Sequence, residues 1–341
     1  MDITLHKTLP RIQSPPSLLF AYPSRVADAW SPRVEKVIQD PTSTSSFEFE
    51  ISVNERSTST LEIEHWTQNP IRRYIRRHGA PINLPGIVYD ARWEAPANVT
   101  HLLSHVATPV LLARKLIREV EDNEQAFTVL VSPGSPGYVK DMLNRMGLSV
   151  VVTDREVQGQ VLRVEKNVKE QGVGRHYPIP SLFACNFEGY DPTTPKRVFL
   201  SRKASRTIAN ETDIEGYLAK EGFHKCYFED LTVPAQWSTM RNAEEIVGIH
   251  GAALGQLLFH LGHRTGRGPK LVEVFSAGHT VICFRHYIAS QLGTWCGVRS
   301  RITSEMIRDM DDEFKPQSHA FDSIHVDVGS IAMALDYVRC K

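Results

Sequence analysis

Arg202 and Arg206 leave the end of a strand pattern, Arg197-Val198-Phe199-Leu200-Ser201, on a polar loop. Guanidinium forks match phosphate oxygens in a way that scattered lysines do not. Further along, Ile246-Val247-Gly248-Ile249 reads as a buried strand that runs without a linker into His250-Gly251-Ala252 and an apolar helix ending near Phe259. A strand that turns straight into a helix offers the helix's N–H groups and positive dipole end at the strand's C-terminal edge. Gly251 allows close backbone approach to a ligand, and His250 adds a donor on the same lip. If both strands share one parallel sheet, the arginines and the His-Gly-Ala turn converge on a diphosphate. The plainer alternatives are a solvated basic loop and a glycine chosen for packing.

Other titratable residues fall around this set. Glu273, in Leu271-Val272-Glu273-Val274, has only apolar neighbours, and at a strand end it could accept both hydroxyls of a ribose. Glu229 follows Cys226-Tyr227-Phe228 and either faces the same site or, with Asp230, caps the helix beginning near Pro234. Asn210 begins an acidic helix start, with Glu211 and Asp213 in its first turn. In the first half, His101 opens a long helix, and a neutral imidazole there could take a proton near pH 7. Asp90 and Glu94 are carboxylate alternatives, and a capping His is the structural one. His101 and His105 share a helix face, but no third metal ligand is in view. The one Asp-x-Asp, Asp309-Met310-Asp311, lies in a hydrophilic run with no strand leading into it and reads as solvated surface.

The chain has 341 residues, enough for two domains, with a hydrophobic share of 41% and a charged share of 23% typical of globular proteins. Lys+Arg and Asp+Glu are equal at 39 each, so no basic excess points to nucleic acid and anion recognition must be local. Five scattered cysteines without a Cys-x-x-Cys fit reduced thiols. No run approaches a membrane span, and Met1 to Phe20 lacks an apolar core fit for a signal peptide. The expectation is a cytoplasmic protein, in which Asn98-Val99-Thr100 and Asn210-Glu211-Thr212 match the glycosylation pattern by chance.

The elements that position these residues fall into two halves. Phe47, Phe49, Ile51 and Val53 alternate with polar residues, Asn54 to Ser57 offers a turn, and Leu61 to Glu64 alternates again, which predicts an antiparallel hairpin. His101 to Val120 has helical spacing with Pro109 as a kink, and then comes a βαβ rhythm: strand Phe127–Val131, helix Tyr138–Met146, strand Ser149–Val152. Pro192 to Pro195 reads as a linker. Beyond it, strands at Val198–Leu200, Cys226–Phe228, Ile246–Ile249 and Leu271–Val274 alternate with helices, and a last extended segment at Ile324 to Val328 leads into a closing helix. The division expected is 1–191, 192–322 and a closing segment 323–341.

Arg202…Arg206…Asn210-Glu211, Gly222-Phe223, Glu229-Asp230-Leu231, His250-Gly251-Ala252 and Leu271-Val272-Glu273-Val274-Phe275 together resemble glycosyltransferase family 61, strongly from Arg197 to Tyr287. Upstream, Asn98-Val99-Thr100-His101 is similar to the family's early His-containing helix start. The chain departs from the family at Ala253-Leu254-Gly255-Gln256, where members usually carry Gly and then Asn. The resemblance implies a GT-B architecture, two Rossmann-like domains facing across a cleft. It also implies inverting, metal-independent transfer from a nucleoside-diphosphate sugar, such as UDP-xylose or UDP-GlcNAc, to a hydroxyl of a glycan or glycoprotein. Arg202, Arg206, Asn210, Glu229, His250, Gly251, Ala252 and Glu273 are then the donor side and His101 the acceptor's base. A protein that keeps the fold and the nucleotide site without turnover is the alternative.

Overall fold

The computed structural model describes residues 2–21, 35–43, 47–58, 80–92, 94, 97–121, 125–168, 177–310 and 318–341. Its strands in chain order are β1 (Ile3–Leu9), β2 (Gln13–Ser14), β3 (Ser17–Ala21), β4 (Glu35–Gln39), β5 (Thr42–Ser43), β6 (Phe47–Ser57), β7 (Ile82–Asp90) and β8 (Phe127–Val131). These are followed by β9 (Ser149–Val152), β10 (Val157–Val168), β11 (Arg197–Ser201), β12 (His224–Tyr227), β13 (Glu245–Ile249), β14 (Lys270–Phe275) and β15 (Thr294–Arg299). The chain forms two compact units, Met1–Arg11 with Thr44–Glu188, and Ile12–Ser43 with Gly189–Lys341. Residues 12–43 therefore belong with the second half of the chain, not with the N-terminal half as the sequence division had it.

The first unit is built on a six-stranded sheet ordered β1-β6-β10-β7-β8-β9. Strand β6 pairs antiparallel on both sides, with β1 and β10. The expected turn at Asn54–Ser57 is thus strand, because continuous pairing with β10 outweighs local turn chemistry. Phe49, Ile51 and Val53 are buried, while the alternate residues Ser52, Asn54 and Arg56 bond one another along the other face. The predicted partner arm, Leu61–Glu64, lies outside the described residues. The βαβ rhythm is present, with β7, β8 and β9 parallel and a helix at Gly137–Arg145 between the last two.

The second unit holds a seven-stranded sheet ordered β12-β11-β13-β14-β15-β3-β4, parallel except for β4. Both central strands, β13 and β14, are buried nearly end to end, and their buried residues are apolar apart from Glu245 and Glu273, because helices cover both faces of a parallel sheet. On one face Ile214 and Leu218 of the helix Glu211–Lys220 and Ile331, Leu335 and Val338 of the helix Val328–Arg339 pack onto Val247, Val272 and Val298. Elsewhere in the unit Trp237 stacks on Phe259 at 4.1 Å. From β11 the chain goes to β12 on one side, then crosses to β13 on the other. The order therefore reverses between β11 and β13, where open sheets of this kind bind ligands at the strands' C-terminal ends.

Candidate active site

Arg202 follows the last residue of β11 and His250 the last residue of β13, so the topology brings them to this reversal point. Arg202 Nη1 donates to the His250 carbonyl at 3.3 Å, and Arg206 Nη1 donates to the same oxygen at 3.0 Å. Gly251 makes this convergence possible. Its backbone is extended (φ 166°, ψ −178°), so conformation alone does not demand glycine, but a Cβ there would lie 2.6 Å from Arg202 Nη1. The close approach that sequence reading assigned to a ligand is made by the Arg202 guanidinium.

Among the described residues neither guanidinium has a carboxylate within ion-pair distance. Burial lowers both: Arg206 is pushed down to about 10 by desolvation and then by Arg202, and Arg202 is lowered by desolvation against the field of Glu229. Arg206 Nε is buried with no hydrogen-bond partner. Desolvated cations and an orphaned donor at a sheet edge form an arrangement that could accept an anion. Arg206 itself adopts a left-handed conformation, φ 58°, held by a bond from its N–H to Phe321 O (3.3 Å) and by the Phe321 ring 5.4 Å from its guanidinium carbon. By contrast, the nearby Lys203 is exposed and paired with Asp230 at 2.6 Å.

Glu273 is fully buried in the middle of β14, not at a lip. Its Oε1 lies 2.6 Å from His250 Nδ1, and its Oε2 accepts from Trp295 Nε1 at 2.6 Å. Both oxygens are occupied by protein, so the expected ribose contact is corrected to a bond that orients His250. Gly297, opposite Glu273 across the β14–β15 pair, leaves room for the indole, since a Cβ there would meet the Trp295 ring at 2.7 Å. The Asn210 side chain is likewise taken up by protein: Nδ2 donates to Val326 O (2.7 Å) and Oδ1 accepts from Val326 N (3.2 Å). It clips the C-terminal segment to the loop after β11 and makes no cap bond to its own helix. Glu229 sits exposed in a short 3₁₀ turn, within the field of Arg202. The apolar helix after Gly251, Ala252–Phe259, is 3₁₀ and not α; buried Gln291 Nε2 takes the carbonyls of Leu257 and Leu258 at 3.0 and 3.4 Å.

Two residues of this edge had escaped the sequence reading. His279, in the loop after β14, lies with its ring 5.0 Å from that of His250, and burial, with His250 and Arg206 adding to it, pushes its imidazole down to about 4. Arg299, ending β15, donates from Nε to Ala277 O at 2.9 Å and so steadies the loop that carries His279. The signal available was their position: both lie at or just after the C-terminal end of an apolar strand of the same sheet.

In the first unit, Asn98 Oδ1 accepts from the N–H groups of Thr100 (3.0 Å) and His101 (3.3 Å), capping the helix that His101 enters. A π-helical stretch, Leu102–Ala107, follows at once and leads into the helix Thr108–Val120 with Pro109 at its start. The kink expected at Thr108-Pro109 is therefore a π segment placed just ahead of the proline, a form common at functional sites. The His101 ring stacks on His105 at 4.9 Å, and His105 Nδ1 is 3.5 Å from Glu94 Oε2. Burial lowers His101, which holds its imidazole neutral at neutral pH. Asp90, the carboxylate alternative, is spent: its two oxygens accept from Arg92 Nε and Nη2 at 2.8 Å each, both side chains being buried. Asp309 Oδ2 is 2.9 Å from His319 Nε2, and Asp311 lies outside the described residues.

The sequence profile of glycosyltransferase family 61 matches residues 5–266. The chain belongs to glycosyltransferase family 61. No curated protein matches it. Among solved structures, a dodecameric iron-containing heptosyltransferase, TibC, in complex with ADP-D-beta-D-heptose aligns over 98% of this chain and 93% of that chain, at 8% identity and a TM-score of 0.36. Family 61 membership makes glycosyl transfer the activity class, with a nucleotide-sugar and a glycan acceptor as its general partners. Among the described residues of this family 61 chain, no helix is long and apolar enough to cross a membrane.

Proposed function

We propose that this chain is an inverting, metal-independent glycosyltransferase of GT-B type that moves a sugar from a nucleoside-diphosphate donor, a UDP-sugar in the first place, to a hydroxyl of a glycan or glycoprotein. The observation that carries the donor half is the convergence of Arg202 and Arg206 on the His250 carbonyl, desolvated and without a carboxylate partner among the described residues. In this reading the diphosphate lies against Arg202, Arg206 and His250. The acceptor oxygen forms its bond to the anomeric carbon as the bond to the diphosphate breaks, on the opposite face of the sugar. The leaving nucleotide carries away the electron pair, and the two guanidinium groups stabilise its growing charge. His101, neutral and capped by Asn98, takes the acceptor's proton, with His105 and Glu94 behind it. Inversion and the GT-B arrangement rest on the family.

Donor hydrolysis and transfer measured with a panel of UDP-, GDP- and CMP-sugars tests this. Turnover of one UDP-sugar above the others is expected. Tight nucleotide-sugar binding with no turnover on any acceptor would make the chain a binding protein that retains the fold.

A further inference from the structure

We propose that Glu273 is a positioning residue that fixes the tautomer of His250, so that the donor's diphosphate is bound together with one proton at His250 Nε2. This rests on the nucleotide-sugar reading above.

The chain of contacts is short. An indole N–H can only donate, so Trp295 Nε1 donates to Glu273 Oε2 at 2.6 Å. The other oxygen of that ionised carboxylate also only accepts, so at 2.6 Å the proton lies on His250 Nδ1. In a neutral ring this leaves a lone pair on Nε2, the nitrogen on the opposite edge, which has no hydrogen-bond partner among the described residues. A lone pair cannot donate to a phosphate oxygen. The ring becomes a donor to the diphosphate only by taking a second proton, and the buried carboxylate against Nδ1 balances the charge so formed.

The groups around the ring leave that proton to His250. Arg202 and Arg206, from the loop after β11, bond its carbonyl and remain cations. His279, from the loop after β14, is held at about 4 and is neutral near neutrality. The Phe275 and Phe284 rings, 5.2 and 5.4 Å away, carry no charge, and burial raises the thiol of Cys283, which immediately precedes Phe284. Glu273→Gln has a defined outcome because Trp295 chooses its orientation. The amide oxygen must face the indole, the NH2 then faces Nδ1, and the imidazole proton is driven to Nε2. That variant presents a neutral N–H donor that needs no proton from solvent.

The test is calorimetric binding of UDP-N-acetylglucosamine or a GDP-sugar, whichever binds the native enzyme more tightly, between pH of about 6.5 and 8.5. A diphosphate diester has no group titrating in that window. For the native enzyme the dissociation constant should rise by up to about tenfold per pH unit at the alkaline end, the limit for one linked proton, with heats that depend on buffer ionisation. Glu273→Gln should bind more weakly at the acid end and show no pH slope. A flat native profile, or an unchanged slope in Glu273→Gln, overturns the inference and leaves the nucleotide-sugar reading standing. No binding of either donor removes both. Nitrogen-15 spectra of the native enzyme need no variant: the His250 ring should be the Nδ1–H tautomer when free and doubly protonated when saturated. An Nε2–H tautomer in the free enzyme would place the proton on the carboxylate and overturn the inference.

Discussion

Gly251 and Arg202 occupy what would be one space had Gly251 a side chain: a methyl group on Gly251 would sit 2.6 Å from Arg202 Nη1. The obstructing atom is the far end of a flexible side chain, so the fold can yield by moving the guanidinium. Gly251→Ala should therefore leave thermal stability within about 0.5 kcal/mol of the native protein while weakening nucleotide-sugar binding, because Arg202 no longer reaches the His250 carbonyl. Melting curves and calorimetry on the same preparation separate the two effects. Unchanged affinity would show that Arg202 in this position is not needed by the donor.

Arg206 is the more deeply committed of the two arginines, since its Nε is buried without a partner and its charge is destabilised by burial. Charge-assisted bonds to a diphosphate are each worth about 1.5–3 kcal/mol. Arg206→Ala and Arg202→Ala should each weaken donor binding by about that amount, roughly tenfold to over a hundredfold in the dissociation constant. Removal of Arg206 should also relieve a desolvated cation, so a stability gain alongside lost affinity is the expected pattern. Intact affinity in both variants would place the diphosphate elsewhere.

The parts of this site written in neighbouring residues were legible in the sequence. The apolar run of β13, flowing into His250-Gly251 with no linker, marks a parallel strand end, and Arg202 and Arg206 follow a strand in the same way. What escaped was set by pairings across long stretches of chain. Parity along β14 puts Glu273 on a face but cannot name Trp295, which reaches it only because Gly297 leaves space. Asn210 looks like a helix cap, yet Ala209 N bonds Ile324 O at 2.7 Å, and that contact brings the Val326 backbone to its amide. Strand β3 joins β15 from the other end of the chain, and a parallel pairing of that separation leaves no local pattern.

Charge neutralisation by arginine predicts indifference to chelation. The carboxylate of Asp309 is turned to His319, and Asp311 lies outside the described residues, so chelation is the test that decides between arginine and a metal held by this run. Excess EDTA should leave the transfer rate within about twofold, against the several kcal/mol that a removed catalytic metal would cost. Activity lost to EDTA and restored by manganese would return Asp309 and Asp311 to the site.

His319 gives the loop beside Arg206 a pH dependence. Its Nδ1 lies 2.6 Å from Asp322 Oδ2 and its Nε2 2.9 Å from Asp309 Oδ2, and the bond to Asp322 leads the causes that raise it above its ordinary value. A histidine raised by folding contributes stability in full below its unfolded value, about 6.5, and loses that contribution as pH climbs through the higher folded value. His319→Gln should therefore lower the melting temperature by about 1–2 °C at acid pH and by less in alkaline solution, the small size reflecting a pair near the surface. An equal drop at both ends would assign the effect to ring shape instead of charge.

The acceptor side rests on His101. Its backbone N–H is bonded by Asn98, its ring is stacked on His105, and burial keeps it neutral, which together give a fixed imidazole able to receive a proton. A positioned general base contributes roughly 10²–10⁴-fold in rate. His101→Ala should lower turnover by about that factor while leaving donor affinity nearly unchanged, because the arginine site belongs to the other unit. Asp90 cannot substitute while both its oxygens hold Arg92, so Glu94 is the remaining carboxylate nearby. A folded His101→Ala enzyme that loses less than about tenfold would make the residue structural and move the test to Glu94 and His105. A parallel loss of donor binding would instead place His101 in the donor site and end the division of labour between the two units.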